Sequence, residues 1–321
     1  MKKDSGECSN RGEEDRPIMI EKDAKRAIAL GYFDGVHRGH QALMQRAVQR
    51  AGETGAISSV FTFDTHPDTV ITGNPVPLIT SEARRRDEIR ELGGVDEVIF
   101  ARFNDELRNM EWRDFIDEVL AGQFHACWVI TGENNRFGYR GQGTPERLQE
   151  ECARLGIGCD IVESVKIDGI VVSSTYIRQQ IAAGNMERAA EFLGHPYTIA
   201  GVVLHGRRVG RTLGYRTVNL ALPREMQEPP FGVYVSRVIV DGTPHAAVTN
   251  IGVHPTFGSG DAACIEPHIL GFDGDLYGKY IRVELLHFLR PEQRFADSEV
   301  LKTAIAADIA QAKDWFEKNK M

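Results

Sequence analysis

The sequence is poor in cysteine: 5 in 321 residues, Cys8, Cys127, Cys152, Cys159 and Cys264, with no CxxC pair among them. An odd, dispersed set supplies neither a disulfide framework nor the paired thiolates of a structural zinc site. It also lacks any apolar run approaching the ~20 residues needed to span a bilayer. The first residues have no apolar core of the secretory kind. A cytoplasmic location with no membrane partner is therefore expected. Basic residues are in deficit, 38 Lys and Arg against 46 Asp and Glu, for a formal net charge of −8. Broad capture of nucleic acid needs clustered cations against phosphates, so nucleic acid is not an expected partner. Nothing in the sequence sets an oligomeric state.

The composition that remains, 42% hydrophobic and 26% charged residues with 32 Gly, is that of a globular protein. The length exceeds what one core normally serves, and two domains are expected. Residues 1–17 are polar, without apolar periodicity, and read as a flexible tail. Residues 18–194 and 195–321 differ in texture. The first alternates short apolar runs (Ala27–Leu30, Ala56–Phe63, Glu97–Phe100, Ala126–Thr131, Asp160–Val162) with segments of helical spacing (Gln41–Glu53, Glu82–Leu92, Met110–Leu120, Thr144–Leu155). That alternation predicts a Rossmann-like α/β domain with a parallel sheet, and Ser174–Ala183 and Met186–Leu193 add two helices. After His195-Pro196 come β-branched runs, Tyr197–Leu204, Val233–Val240, His245–Thr249, Cys264–Leu270 and Tyr280–Phe288, with a tight-turn signal at Asp241-Gly242. These predict a small antiparallel β-barrel, with Ser298–Lys318 as a terminal helix against it.

Chemistry concentrates in Gly31-Tyr32-Phe33-Asp34-Gly35-Val36-His37-Arg38-Gly39-His40. The string follows a strand and opens a helix, where backbone N–H groups and the helix dipole favour bound phosphate. Gly31, Gly35 and Gly39 let a nucleotide approach the backbone, with Phe33 and Asp34 between them. His37 and His40, three apart at a helix start, can donate hydrogen bonds to one triphosphate as charge builds on a leaving pyrophosphate. A second string, Val172-Ser173-Ser174-Thr175-Tyr176-Ile177-Arg178, sets hydroxyls at another helix start. Arg178, one turn later, can reach phosphate oxygens, which makes this string the other jaw of an ATP site.

In the C-terminal half, the stretch Gly201 to Leu220 combines a Gly- and Arg-rich loop containing Gly206, Gly210 and Arg211 with Thr217 and Asn219. A basic glycine loop can fold over ATP phosphates, and the Thr hydroxyl and Asn carbonyl are hard oxygens suited to Mg²⁺.

With these motifs in view, the chain resembles the bacterial bifunctional riboflavin kinase/FAD synthetase family. Thr62-Phe63-Asp64-Thr65-His66-Pro67 and Gly132-Glu133-Asn134 stand in family order. Thr65 replaces a family proline, and Asn135 stands where an aromatic residue is usual. Gly214-Tyr215-Arg216-Thr217-Val218-Asn219 is similar to the riboflavin kinase string, with Arg216 for its proline. Asn250-Ile251-Gly252-Val253-His254-Pro255-Thr256-Phe257, Ile265-Glu266-Pro267-His268 and Phe272-Asp273-Gly274-Asp275-Leu276-Tyr277-Gly278-Lys279 also match. The resemblance implies a two-step enzyme: riboflavin and ATP give FMN and ADP, then FMN and ATP give FAD and pyrophosphate, with Mg²⁺ serving both. It implies Asn134 in nucleotide binding, and Glu266 as the base that takes the ribityl hydroxyl proton. Activity of one half alone, or a non-catalytic flavin- or nucleotide-binding regulator, remain as alternatives. A regulator has no need of a general base such as Glu266.

Overall fold

Five apolar runs build the first layer. In the computed structural model, which describes residues 23–204, 215–253 and 263–320, β1 (Arg26–Leu30) is buried along its whole length. A short 3₁₀ turn leads into α1 (Arg38–Thr54), followed by β2 (Ile57–Phe63), α2 (Pro67–Thr72), α3 (Glu82–Gly93) and β3 (Glu97–Ala101). Then come α4 (Asp105–Asn109), α5 (Trp112–Asp114) running into a π-helical stretch (Phe115–Gln123), β4 (Ala126–Gly132), α6 (Pro145–Leu155) and β5 (Gly158–Val162). The strands pair in parallel in the order β3-β2-β1-β4-β5. Strand order reverses between β1 and β4, and the loops leaving their carboxyl ends open a crevice where α/β sheets bind ligands.

A hairpin of β6 (Lys166–Ile167) and β7 (Ile170–Val171) leads to α7 (Ser174–Ala182) and α8 (Met186–Leu193). The second sheet is antiparallel, made of β8 (Tyr197–Val202), β9 (Leu220–Ala221), β10 (Gly232–Val240), β11 (Thr243–Val253), β12 (Ala263–Ile269) and β13 (Tyr280–Pro291), in the order β8-β13-β10-β11-β12-β9. The Leu204 N–H donates to the Asn219 carbonyl at 2.8 Å and links its two edges into a nearly closed barrel. Asp241-Gly242 makes the β10–β11 turn with both residues left-handed (φ 47° and 81°), as a type I′ hairpin requires. α9 (Ser298–Lys318) is capped by Asp297 and lays Ala312 on Val233, Val235 and Val248.

The expected strands and helices are present, with local differences. The segment expected as a helix over Met110–Leu120 is α5 plus the π stretch, whose five-residue spacing keeps Phe115 and Leu120 in one apolar cluster with Ile116. The short helices α2 and α4 and the β6–β7 hairpin carry too few periodic residues to read from pattern. The hairpin turns on Asp168-Gly169, again both left-handed. The tail 1–17, Gly206, Gly210, Arg211 and Pro255-Thr256-Phe257 lie outside the described residues.

Two apolar clusters sandwich the parallel sheet. A third runs from Ile177, Ile181, Met186, Phe192 and Leu193 on α7 and α8 straight into the barrel at Tyr197, Ile199, Tyr234 and Leu285. The segment before α3 is stitched to the barrel as well: Leu78 N–H donates to the Glu225 carbonyl and Gln227 N–H to the Leu78 carbonyl, each at 2.6 Å. Glu91 pairs with Arg282 of β13 at 3.1 Å.

Candidate active sites

The loop between β1 and α1 is backbone-strained. Phe33 (φ 61°), Gly35 (75°) and Val36 (39°) are all left-handed. At the two non-glycine residues such strain, ~1–3 kcal/mol each, persists only where surroundings over-determine it. Here they do. The Asp34 carboxylate accepts the N–H groups of Ile79 (2.8 Å) and Thr80 (3.1 Å) and pairs with Arg178 at 2.9 Å. Each following carbonyl has a side chain from elsewhere: Ser174 Oγ donates to Asp34 O (3.1 Å), His195 Nε2 faces Gly35 O (3.1 Å), and Gln41 Nε2 donates to Val36 O (2.8 Å). Burial pushes the Asp34 carboxyl above its ordinary range, opposed by the Thr80 and Ile79 N–H groups and the Arg178 charge.

The two sequence strings therefore meet, and Arg178 carries the contact. Its guanidinium is committed to Asp34, and it braces the loop from α7. Ser173 is the N-cap of α7, accepting the Tyr176 N–H at 3.3 Å, and Thr175 Oγ1 lies 3.5 Å from Arg178.

His37 caps α1, its Nδ1 accepting the His40 N–H at 3.2 Å, which leaves the ring proton on Nε2. The two imidazoles stack at 3.6 Å with an 11° tilt. Gly39 permits this, since a Cβ there would lie 3.2 Å from the His37 ring. Burial lowers the His37 pKa to about 4 and that of His40 well below its usual value. Both rings are neutral at pH 7. His40 Nδ1 is buried without a hydrogen-bond partner.

Beside the loop opens a cavity of about 960 Å³ that includes Gly31, Tyr32 and His66 in its lining. Phe61, Phe63, Phe103, Phe115 and Phe137 form an aromatic wall, and Arg108, Arg136 and Arg140 contribute cations. Asn135 also lines it, so the departure from the aromatic pattern falls on the cavity surface. Asn134 does not line it: its amide lies 3.4 Å from Ser164 Oγ. Sequence reasoning missed most of the aromatic wall. Phe61 and Phe63 alternate along β2, which was the available signal, but Phe103 and Phe115 arrive through tertiary packing.

In the barrel, β12 brings Glu266 opposite Asn219. The pairs Cys264–Ala221 and Ile265–Leu220 set the register, and the Val218 N–H to Pro267 O bond (3.1 Å) continues it. Asn219 Oδ1 is reached by Cys264 Sγ at 3.6 Å, and Glu266, two residues along from Cys264, shares that face of β12. Thr217 is half-buried nearby in sequence. Arg216 points to Asp273 (3.4 Å), both well exposed, and its carbonyl meets His268 Nδ1 at 2.8 Å.

Residues 19–176 match the FAD synthetase family and residues 193–316 the riboflavin kinase family. The bifunctional riboflavin kinase/FMN adenylyltransferase of Pseudomonas fluorescens is 39% identical over 284 residues, covering 88% of this chain and 91% of that one. Its counterparts from Bacillus subtilis and Escherichia coli K12 are each 34% identical, over 93% and 90% of this chain and 95% and 92% of theirs. The chain belongs to the bifunctional riboflavin kinase/FMN adenylyltransferase family. It phosphorylates riboflavin to FMN and adenylylates FMN to FAD, with riboflavin, ATP, FMN and FAD as substrates and products. ATP-dependent kinases and adenylyltransferases of these families generally use a divalent metal. A crystal structure described as a macrolide-efflux protein from Streptococcus pneumoniae superposes with TM-score 0.82 at 30% identity, over 92% of this chain and 96% of that one. Efflux is said of that protein. Here no helix among the described residues is long and apolar enough to cross a membrane.

Proposed function

We propose that the riboflavin kinase/FMN adenylyltransferase works at two separate sites, in units 18–194 and 195–321, in the cytoplasm. Adenylyl transfer is assigned to the crevice where the 31–37 loop meets the aromatic cavity. The observation that carries this is the braced loop after β1, whose first residues, Gly31 and Tyr32, line a cavity with aromatic and cationic side chains and whose far end leads into the stacked His37–His40 pair.

The isoalloxazine ring stacks within the aromatic wall, and the ATP phosphates lie at the start of α1, cradled by Gly31, Gly35 and Gly39 with Phe33 beside them. An oxygen of the FMN phosphate attacks the α-phosphorus in line, and pyrophosphate leaves. As charge builds on it, His37 and His40 donate hydrogen bonds as neutral rings, without a covalent intermediate. Asp34, Arg178, Ser173, Ser174 and Thr175 hold the two jaws in register, and Asn134 borders the nucleotide side.

Phosphorylation is assigned to the β9–β12 edge. The Glu266 carboxylate takes the proton of the terminal ribityl hydroxyl as that oxygen attacks the γ-phosphorus, and ADP leaves. Gly206, Gly210 and Arg211, outside the described residues, are assigned to nucleotide binding on their sequence motif. Among the described residues no cluster of three His, Cys, Asp or Glu could hold a metal ion. The Thr217 hydroxyl and Asn219 amide oxygen suit Mg²⁺, which takes few protein oxygens and completes its shell with water and phosphate. Among the described residues, a weak thiol donor at 3.6 Å competes for Asn219 Oδ1. When bound, the ion neutralises charge on the phosphates.

Purified protein incubated with riboflavin, ATP and Mg²⁺, with flavins separated by chromatography, tests this. His40→Ala is expected to slow FAD formation from FMN by ~10²-fold or more and leave FMN formation intact. Glu266→Ala is expected to slow FMN formation by ~10²–10⁴-fold and leave FAD formation from supplied FMN. Loss of both steps in either folded variant refutes the two-site assignment.

A further inference from the structure

Arg85 on α3 is 1% exposed. Its hydrogen bonds run from Nη2 to the carbonyls of Phe63 and Asp64 (the latter 3.2 Å), while Nε and Nη1 are buried with no partner. None of these partners is a carboxylate. Its neighbour Arg84 pairs with Glu91 at 2.6 Å, and Asp34, which feels the Arg85 charge, is already paired with Arg178. The guanidinium lies 3.9 Å from the centre of the Tyr32 ring and 5.4 Å from that of Phe100.

Holding a guanidinium out of water with no carboxylate in ion-pair contact is unfavourable, and two aromatic faces and the field of Asp34, shared with Arg178, offset only part of that. The position explains why it is tolerated. Tyr32 and Phe63 both line the cavity, and His66, on the loop that follows the two carbonyls, packs edge-on against Tyr32 at 4.5 Å. The charge thus lies one ring behind the cavity wall, where low polarisability lets its field reach the interior.

We propose that Arg85 is an electrostatic positioning residue for adenylyl transfer, a buried cation whose counter-charge is a phosphate of the flavin or nucleotide substrate in the cavity. It rests on the assignment of adenylyl transfer to this cavity. Arg85 touches neither substrate; it acts through the field behind Tyr32 and through the two carbonyls it holds at the head of the 64–66 loop.

Two substitutions separate charge from hydrogen bonding: Arg85→Lys keeps the charge and loses the planar fork, and Arg85→Gln keeps a donor and loses the charge. KM and kcat for FAD formation are measured with FMN and ATP varied separately, alongside thermal melting and FMN formation by the same chain. Arg85→Gln is expected to raise the KM of at least one phosphorylated substrate by ~tenfold or more, with a smaller change in kcat, while Arg85→Lys stays within about threefold of the parent. Whichever KM moves, that of FMN or of ATP, names the phosphate being held. Unchanged KM values in Arg85→Gln, or an equal loss in Arg85→Lys, overturn the proposal. If Arg85→Gln does not fold, Arg85→Lys decides alone: near-parental KM values support the role of charge, and a tenfold rise removes it. Loss of FAD formation in His40→Ala with none in Arg85→Gln would keep the site and discard only the role of Arg85.

Discussion

His37 faces backbone and a second imidazole rather than water, and that sets its protonation. An unfolded histidine binds a proton near its usual value of 6.5, whereas His37 in the folded chain binds one only near 4. Between those values the unfolded state holds the extra proton, so this contribution to stability is complete above pH 6.5 and is lost as pH falls toward 4. It amounts to about 3 kcal/mol. His37→Asn retains a capping side chain that does not titrate, and urea melts from pH 7 to 4 should give a shallower pH dependence than the parent, with a residue left from His40. An unchanged slope would mean that His37 titrates normally. The identity of both histidines was readable from the sequence. Their stacking was not, because it depends on a cap geometry that Gly39 permits.

The 31–37 loop is the element to which adenylyl transfer is assigned. The spacing of its glycines was legible, but its left-handed turns are held by Ile79 and Thr80, 45 and 46 residues from Asp34. No local pattern carries a contact of that range. Gly35 occupies φ 75°, and a Cβ there would come within 2.8 Å of the Ile79 side chain. Gly35→Ala should destabilise the fold by ~1–3 kcal/mol and abolish FAD formation while FMN formation continues. Melting temperature and the two-step assay check both parts. Arg178 teaches the same point. A helix-start arginine reads locally as a phosphate ligand, and only the fold shows its pairing with the buried Asp34 carboxylate, where removing one partner leaves the other charge unpaired.

At the scale of the molecule, the parallel sheet and the barrel are joined through α7 and α8, whose apolar faces lie in the barrel's own cluster. Phe192 is fully buried there, 4.6 Å from Tyr176. Phe192→Ala should cost ~3–5 kcal/mol and lower the temperature at which both activities are lost. Calorimetry with parallel activity assays is the measurement, and loss of only one activity would argue for independently melting halves. The continuity is hidden in sequence, where α7 and α8 read as closing helices of the first half.

By itself the sequence determined the fold class of each half and the order of its motifs, and it singled out His37, His40, Thr217, Asn219 and Glu266 as candidates, because periodicity and motif spacing are local properties of the chain. Tertiary structure alone decided that Arg178 braces Asp34, that aromatic residues from separate elements wall one cavity, and that Arg85 lies behind it without a direct ion pair. Those facts arise from burial and from which distant groups meet, and burial decides whether a charge or an imidazole behaves as it would in water.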